Sequence, residues 1–109
     1  VDPTLDKTIN TYIESIANFE TKKFKIRVDR LENGAIRYAS CSSSSSFANK
    51  PDVVLNNGEW IPDGAHGDGY YDFVSGEYTY RVYVYIKGNV EFTLQVLKEE
   101  QVILSEDSI

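Results

Sequence analysis

Few side chains in this sequence could carry a covalent reaction. The chain has one Cys, Cys41, and one His, His66, so a Cys–His or Ser–His catalytic unit would have to use His66. Cys41 falls on the predicted core side of a strand, while His66 falls far along the chain in a Gly-rich stretch. No phosphate-binding loop, dinucleotide fingerprint, nucleophile elbow or paired-His zinc motif occurs. The sequence therefore predicts a protein that is not an enzyme and uses no cofactor.

The stretch from Asp63 to Gly69 is the most unusual local sequence. Its carboxylates, with Glu59 before them and Asp72 after them, are oxygen ligands of the kind that calcium takes. The stretch lacks the regular spacing and the final Glu of an EF-hand loop, and Gly and Asp also suit ordinary turns. We therefore expect a turn and no metal site, and keep calcium only within a carbohydrate-binding alternative.

Tyrosines are the strongest functional signal, since six of them fall between residues 70 and 85. Successive side chains of a strand point to opposite faces, so Tyr78 and Tyr80 are predicted to join the core with the alternating valines. A turn at Ser75-Gly76 brings the preceding strand alongside. The predicted partner-binding face then carries these side chains: Tyr70, Arg81, Tyr83, Tyr85 and Lys87.

This predicted face suits either a protein or a glycan. Tyr is rigid and amphipathic, and Arg can stack on rings or pair with acids. A three-residue loop at residues 88–90 would oppose Ile86 to Phe92 and place Thr93 and Gln95 beside the tyrosines. The alternative is structural, because the same face could be the seat of an N-terminal helix.

The N-terminal region has apolar residues at helical spacing. Leu5, Ile9, Ile13 and Ile16 recur every three or four positions after an Asp-Pro start at residues 2–3. We therefore predict an amphipathic helix over residues 3–18.

Beyond residue 23 the apolar period changes from helical to alternating. Phe24 to Val28 reads as a half-buried strand, and Asn33-Gly34 as a two-residue hairpin loop that sets Cys41 opposite Ile26. Asn57-Gly58 predicts a second hairpin, with Trp60 more suited to the core than to a ligand platform.

The predicted fold class is α+β and mostly antiparallel β. It consists of the N-terminal helix and about eight short, hairpin-connected strands over residues 23–105, in a sandwich or partly open barrel. Residues 42–51 and 62–69 are expected to form flexible loops that modulate access to a binding face, and the acidic end of the chain is expected to fray. The 109 residues suit a single domain, 1–109.

Charge narrows the class of partner. Residues 1–50 carry eight Lys and Arg against six Asp and Glu, whereas residues 51–109 carry three against eleven. The acidic second half would repel phosphate backbones, so we expect no nucleic-acid partner. A negative domain is better suited to a cationic partner, although most acidic domains are simply soluble. No apolar run is long enough for a membrane-spanning segment.

The leading hypothesis is a non-enzymatic, exported binding domain that acts through the tyrosine-rich sheet face. Export, to the periplasm, the cell surface or the medium, is expected because the chain contains no Met and a leader could have been removed; a cytoplasmic location is the alternative. Two other functions remain: an inhibitor of a secreted cationic hydrolase, and a carbohydrate-binding module. The oligomeric state is left open.

Overall fold

Strands account for all the regular structure in the described parts of the chain. The computed structural model describes residues 1–64, 67–87 and 89–109, and for Lys87 it describes the backbone alone. The nine strands are β1 (Glu14–Glu20), β2 (Phe24–Arg30), β3 (Ile36–Ser42), β4 (Val53–Leu55), β5 (Glu59–Pro62), β6 (Gly69–Ser75), β7 (Tyr78–Lys87), β8 (Asn89–Lys98) and β9 (Gln101–Asp107). Within these ranges no helix is long and apolar enough to cross a membrane.

The strands form two antiparallel sheets that share one hydrophobic core. Strands β1 to β4 make a four-stranded sheet, and β5 to β9 make a five-stranded sheet, each in sequence order. Ile26 and Val28 from the first sheet pack with Phe73 and Val82 from the second. Alternating apolar residues on both sheets supply this core, as expected for two sheets packed face to face.

The N-terminal helix predicted over residues 3–18 is wrong. Residues 1–13 form turns, and the rest of the predicted helix lies in β1. The Asp2 carboxylate accepts hydrogen bonds from the backbone N–H and the hydroxyl of Thr4, and Asp6 accepts the same pair from Thr8. Such turns let short polar side chains capture the backbone groups that a helix would need.

A β-bulge explains the helix-like spacing of the apolar residues in β1. The β1–β2 register shifts between Ser15 and Ala17, which leaves Ile16 as the extra residue. Ile16, Ala17 and Phe19 therefore all pack against the core, although they do not alternate. Ile13 is 62% exposed and belongs to no apolar face.

The hairpin between β2 and β3 has a longer loop than predicted. Arg30 pairs with Ile36, and the Leu31 N–H donates to the carbonyl of Ala35 at 2.8 Å. This leaves a three-residue loop, 32–34, where Gly34 takes a positive φ of 87°. The one-residue slip sets Cys41 opposite Lys25 and not opposite Ile26, so it moves Cys41 to the outer face of the sheet. Cys41 is buried as predicted, and burial raises the pKa of its thiol, but it does not face the core between the sheets.

The second predicted hairpin is also wrong, because the chain changes sheets at Asn57-Gly58. Strand β4 pairs with β3, and β5 pairs with β6. A Cβ on Gly58 would lie 2.2 Å from the ring of Phe73, so only Gly fits where the chain crosses the core edge. Trp60 consequently pairs with Tyr71, and its packing against the core is confirmed.

The acidic end of the chain is anchored and does not fray as predicted. Glu106 accepts hydrogen bonds from the hydroxyl of Thr21, at 2.8 Å, and from the backbone N–H of Lys23, at 3.1 Å. The Ile109 N–H donates to the carbonyl of Glu20 at 2.9 Å. The last strand therefore ties the five-stranded sheet to the turn between β1 and β2.

Candidate functional site

The predicted binding residues lie on the outer face of the five-stranded sheet. Tyr70 pairs with Tyr83, and Asp72 pairs with Arg81, in the register that the β6–β7 turn imposes. In the β7–β8 pair, Ile86 opposes Val90 and not Phe92, so the predicted loop is too long. The register differs by two residues, which keeps every side chain on its predicted face.

The rings on this face contact one another. The Tyr70 and Tyr83 ring centroids are 5.2 Å apart, and Tyr83 stacks on Tyr85 at 5.8 Å with an interplanar angle of 5°. The Arg81 guanidinium lies 4.3 Å from the centroid of the Tyr70 ring, within cation–π range. We call the surface formed by Tyr70, Asp72, Arg81, Tyr83 and Tyr85 the tyrosine face.

Asp72 fixes the orientation of Arg81. Arg81 Nε and Nη2 donate to the two oxygens of the Asp72 carboxylate at 2.7 and 2.9 Å. This forked ion pair, with a smaller contribution from Tyr83, raises the pKa of Arg81 above its already high ordinary value. The guanidinium is therefore held in one position against the tyrosine rings, and the Asp72 carboxylate largely balances its positive charge.

The Tyr85 end of the face is acidic. Burial raises the pKa of the Tyr85 hydroxyl first, and Tyr83 and Asp107 raise it further, as do Asp63 and Asp68. The hydroxyl of Thr93 holds the Asp107 carboxylate at 2.7 Å. A groove of about 470 Å³, which we call the acidic groove, begins at this end; its walls are formed by Tyr85, Glu91, Phe92, Thr93, Asp107 and Ser108.

The structure brings together four of the five predicted site residues. Tyr70, Arg81, Tyr83 and Tyr85 are each half-buried, largely in contact with one another. Lys87 ends β7 on the same strand, but its side chain lies outside the described parts of the chain. Thr93 pairs with Tyr83 and Gln95 pairs with Arg81, so both lie beside the face as predicted.

The two predicted loops lie in different places. Residues 42–51 accompany the four-stranded sheet, since the carbonyl of Phe47 accepts a hydrogen bond from Asp6 and that of Ser45 accepts one from Lys25. Asp63 and Asp68, in the 62–69 loop, act on the pKa of Tyr85 and so border the tyrosine face. Of the two loops, the second is the one that borders the tyrosine face.

Two of the four carboxylates considered for calcium have other partners. Asp72 is paired with Arg81, and Asp68 accepts a hydrogen bond from the backbone N–H of Ile86 at 2.7 Å. Among the residues that the structure describes, no three His, Cys, Asp or Glu side chains are grouped to hold a metal ion. The prediction for His66 falls outside the described residues.

A second charged cluster was missed by the sequence reasoning. Asp29 is buried on the outer face of the four-stranded sheet, with Arg27 at 3.0 Å and Arg37 at 3.2 Å. Arg37 also donates to the carbonyl of the fully buried Ile9, and the Arg27 guanidinium lies 4.9 Å from the Tyr12 ring centroid. Because apolar and charged residues alternate along β2, the charged side chains were expected to face solvent. The one contrary signal was the apolar side chain of Ile9, which needs a buried position.

Fold and site together define a small antiparallel β-sandwich with an aromatic outer face. No family model, no curated protein and no solved structure matches the chain.

Proposed function

We propose that the chain is a non-enzymatic binding domain that docks a cationic protein on its tyrosine face. The observation that carries the proposal is the ordered contact of three tyrosines with one arginine on the outer face of the five-stranded sheet. Tyr and Arg are the residues most enriched among those that dominate the energy of protein interfaces. Their side chains are already ordered here, so little conformational entropy remains to be lost on binding.

The N-terminal segment does not use this face. It packs on the other sheet, where Arg37 donates to the carbonyl of Ile9 and Asp6 donates its N–H to the carbonyl of Phe47. The structural alternative, in which an N-terminal helix covers the tyrosines, therefore loses its support. The tyrosine face is thus amphipathic and ordered, and its tyrosines are not part of the hydrophobic core that the two sheets share.

The ring arrangement favours a protein over a glycan. A sugar stacks on an open aromatic face, yet Tyr83 has Arg81 on one side along β7 and Tyr85 on the other. Tyr70 lies across from it and carries the Arg81 guanidinium on its own ring. Both sides of the Tyr83 ring along β7 are therefore already taken, while the hydroxyl groups and rings of the face together suit the mixed polar and apolar contacts of a protein interface.

The charge distribution favours a cationic partner. Arg81 is balanced by Asp72, so among the described side chains the net charge near the face comes from Glu91 and Asp107, with Asp63 and Asp68 from the 62–69 loop. Such a field accelerates association with a cationic surface and weakens as salt is added. Inhibition of a secreted cationic hydrolase is one form that this binding could take, and the expected export of the chain agrees with it.

The test is differential capture from an extract of the source cells and their medium. Three baits are compared: the wild-type chain, the double variant Tyr83→Ala/Tyr85→Ala, and Ile13→Ala, which removes an exposed apolar side chain outside the tyrosine face. We expect a basic protein to be retained by the wild type and by Ile13→Ala, lost by the double variant, and eluted by salt. Equal retention by all three baits would show that the tyrosine face is not the docking surface.

A further inference from the structure

An apolar pocket opens at one end of the sandwich, away from the tyrosine face. It lies where β2 begins and β3 ends, opposite the start of β7 and the end of β8. Its volume is about 320 Å³, and both sheets contribute apolar walls: Phe24, Val53, Tyr80, Leu94, Val96 and Leu104. We call this cavity the end pocket. Its size is at the lower end of the range typical of small-molecule sites.

Tyr38 gives the end pocket a polar group without a partner. Its side chain is fully buried and lines the pocket, yet its hydroxyl has no hydrogen-bond partner among the described residues. Burial raises the pKa of this hydroxyl, and the side chain of Ser40 is near enough to lower it in part, although no hydrogen bond of normal geometry joins the two hydroxyl groups. A buried donor without an acceptor is costly, and such groups are rare in folded proteins.

The Tyr38 ring is held in place by its neighbours. Its centroid lies 5.4 Å from that of Phe73 and 5.3 Å from that of Tyr80. These contacts fix the ring and leave the hydroxyl without a partner in the described part of the chain. Because the hydroxyl is also covered, a ligand reaches it by displacing the residues that cover it.

We propose that the end pocket binds an uncharged, largely apolar small molecule that offers one acceptor oxygen, such as a carbonyl, to the Tyr38 hydroxyl. None of the described residues that line the pocket is charged, so an ionised ligand would lose its hydration without gaining a counter-ion. Ile103, which is 56% exposed, marks the mouth through which the ligand would enter. This site is independent of the tyrosine face and of its partner.

The probe for this site is prodan, an uncharged and fluorescent naphthalene ketone. Its binding to the full chain is compared with that of the matching dimethylaminonaphthalene, which lacks the ketone. Tyr38→Phe keeps the ring and removes only the hydroxyl. We expect the variant to bind prodan about threefold to tenfold more weakly than the wild type, as for the loss of one neutral hydrogen bond. The ketone-free probe should bind both proteins equally.

A second pair of variants tests where the probe binds. Val96→Trp fills the end pocket and should abolish binding of both probes, whereas Val74→Trp, at a position that is 70% exposed on the outer face of β6, should leave it unchanged. If Val96→Trp does not fold, the Tyr38→Phe comparison still decides. Equal prodan affinity for Tyr38→Phe and the wild type, or no binding by the folded chain, overturns the proposal. So does a dimer, formed through Ile103, that excludes both probes.

Discussion

The two outer faces of the sandwich carry the same chemical unit in different surroundings. On the four-stranded sheet Arg27 pairs with Asp29, and on the five-stranded sheet Arg81 pairs with Asp72; in both, the guanidinium lies against a tyrosine ring. The side chains of Arg27 and Asp29 are 6% and 1% exposed, whereas those of Arg81 and Asp72 are 22% and 18% exposed. The chain covers the ion pair of the four-stranded sheet with its own residues, and it leaves the ion pair of the five-stranded sheet partly exposed.

On the covered face, the ion pair binds a segment of the same chain. Arg37 joins Asp29 and donates to the carbonyl of Ile9, so the cluster holds the N-terminal segment in place. On the tyrosine face, the pair holds the guanidinium of Arg81 against Tyr70, whose ring contacts that of Tyr83. The same unit therefore holds a segment of the chain on one sheet, and on the other it orders the face on which we propose that a partner docks.

The largest expected effect is on folding, through the buried carboxylate. Asp29→Asn leaves two buried guanidinium groups without their counter-ion and should lower the free energy of unfolding by about 3–5 kcal/mol. Asp72→Asn breaks a partly exposed pair and should cost about 1 kcal/mol or less. Urea unfolding of both variants measures the contrast, and equal losses would mean that the two faces do not differ as described.

The N-terminal segment itself should contribute the next largest effect. Ile9 is fully buried, so Ile9→Ala should lower the free energy of unfolding by about 2–5 kcal/mol. Ile13→Ala, in the same segment but exposed, should change it by less than about 0.5 kcal/mol. Similar values for both, measured by urea unfolding, would show that the segment does not bury Ile9 on the sheet.

Acid should weaken the N-terminal turns. Hydrogen bonds from Thr4 and Thr8 lower the pKa values of Asp2 and Asp6 below the ordinary 3.8. The turns are therefore stabilised above that pH, and this stabilisation is lost as the pH falls through the lowered pKa values. NMR titration of the Thr4 and Thr8 amides should give midpoints below 3.8.

The matched control for this titration is Thr8→Val, which removes the hydroxyl that donates to Asp6. This variant should shift the midpoint of Asp6 upward, toward 3.8, and leave that of Asp2 unchanged. Midpoints that start at 3.8 or above in the wild type would contradict the turn geometry.

The tyrosine face was predictable because its determinants are local. Strict alternation along β7 fixes which tyrosines share a face, and the turn at Ser75-Gly76 fixes the neighbour strand. Even the wrong length predicted for the β7–β8 loop did no harm, because a slip of two residues preserves each side chain's face.

The other sheet was less predictable because its features depend on competition or on distant contacts. Two Asx turns at Asp2 and Asp6 outweigh the helical apolar spacing. One extra loop residue in the β2–β3 turn moves Cys41 to the outer face. Asp29 is buried beneath an N-terminal segment that the sequence pattern predicts to be a helix. The unpartnered hydroxyl of Tyr38 depends on how the two sheets pack against each other.

Calorimetric affinity for the captured basic protein is the sharpest test of whether a partner docks on the tyrosine face. Wild type, Tyr83→Ala/Tyr85→Ala and Ile13→Ala are titrated after their thermal unfolding shows that all three are folded. We predict that the double variant binds at least about thirtyfold more weakly, as for residues that dominate an interface, and that Ile13→Ala binds like the wild type. A double variant that binds as tightly as the wild type would contradict the account.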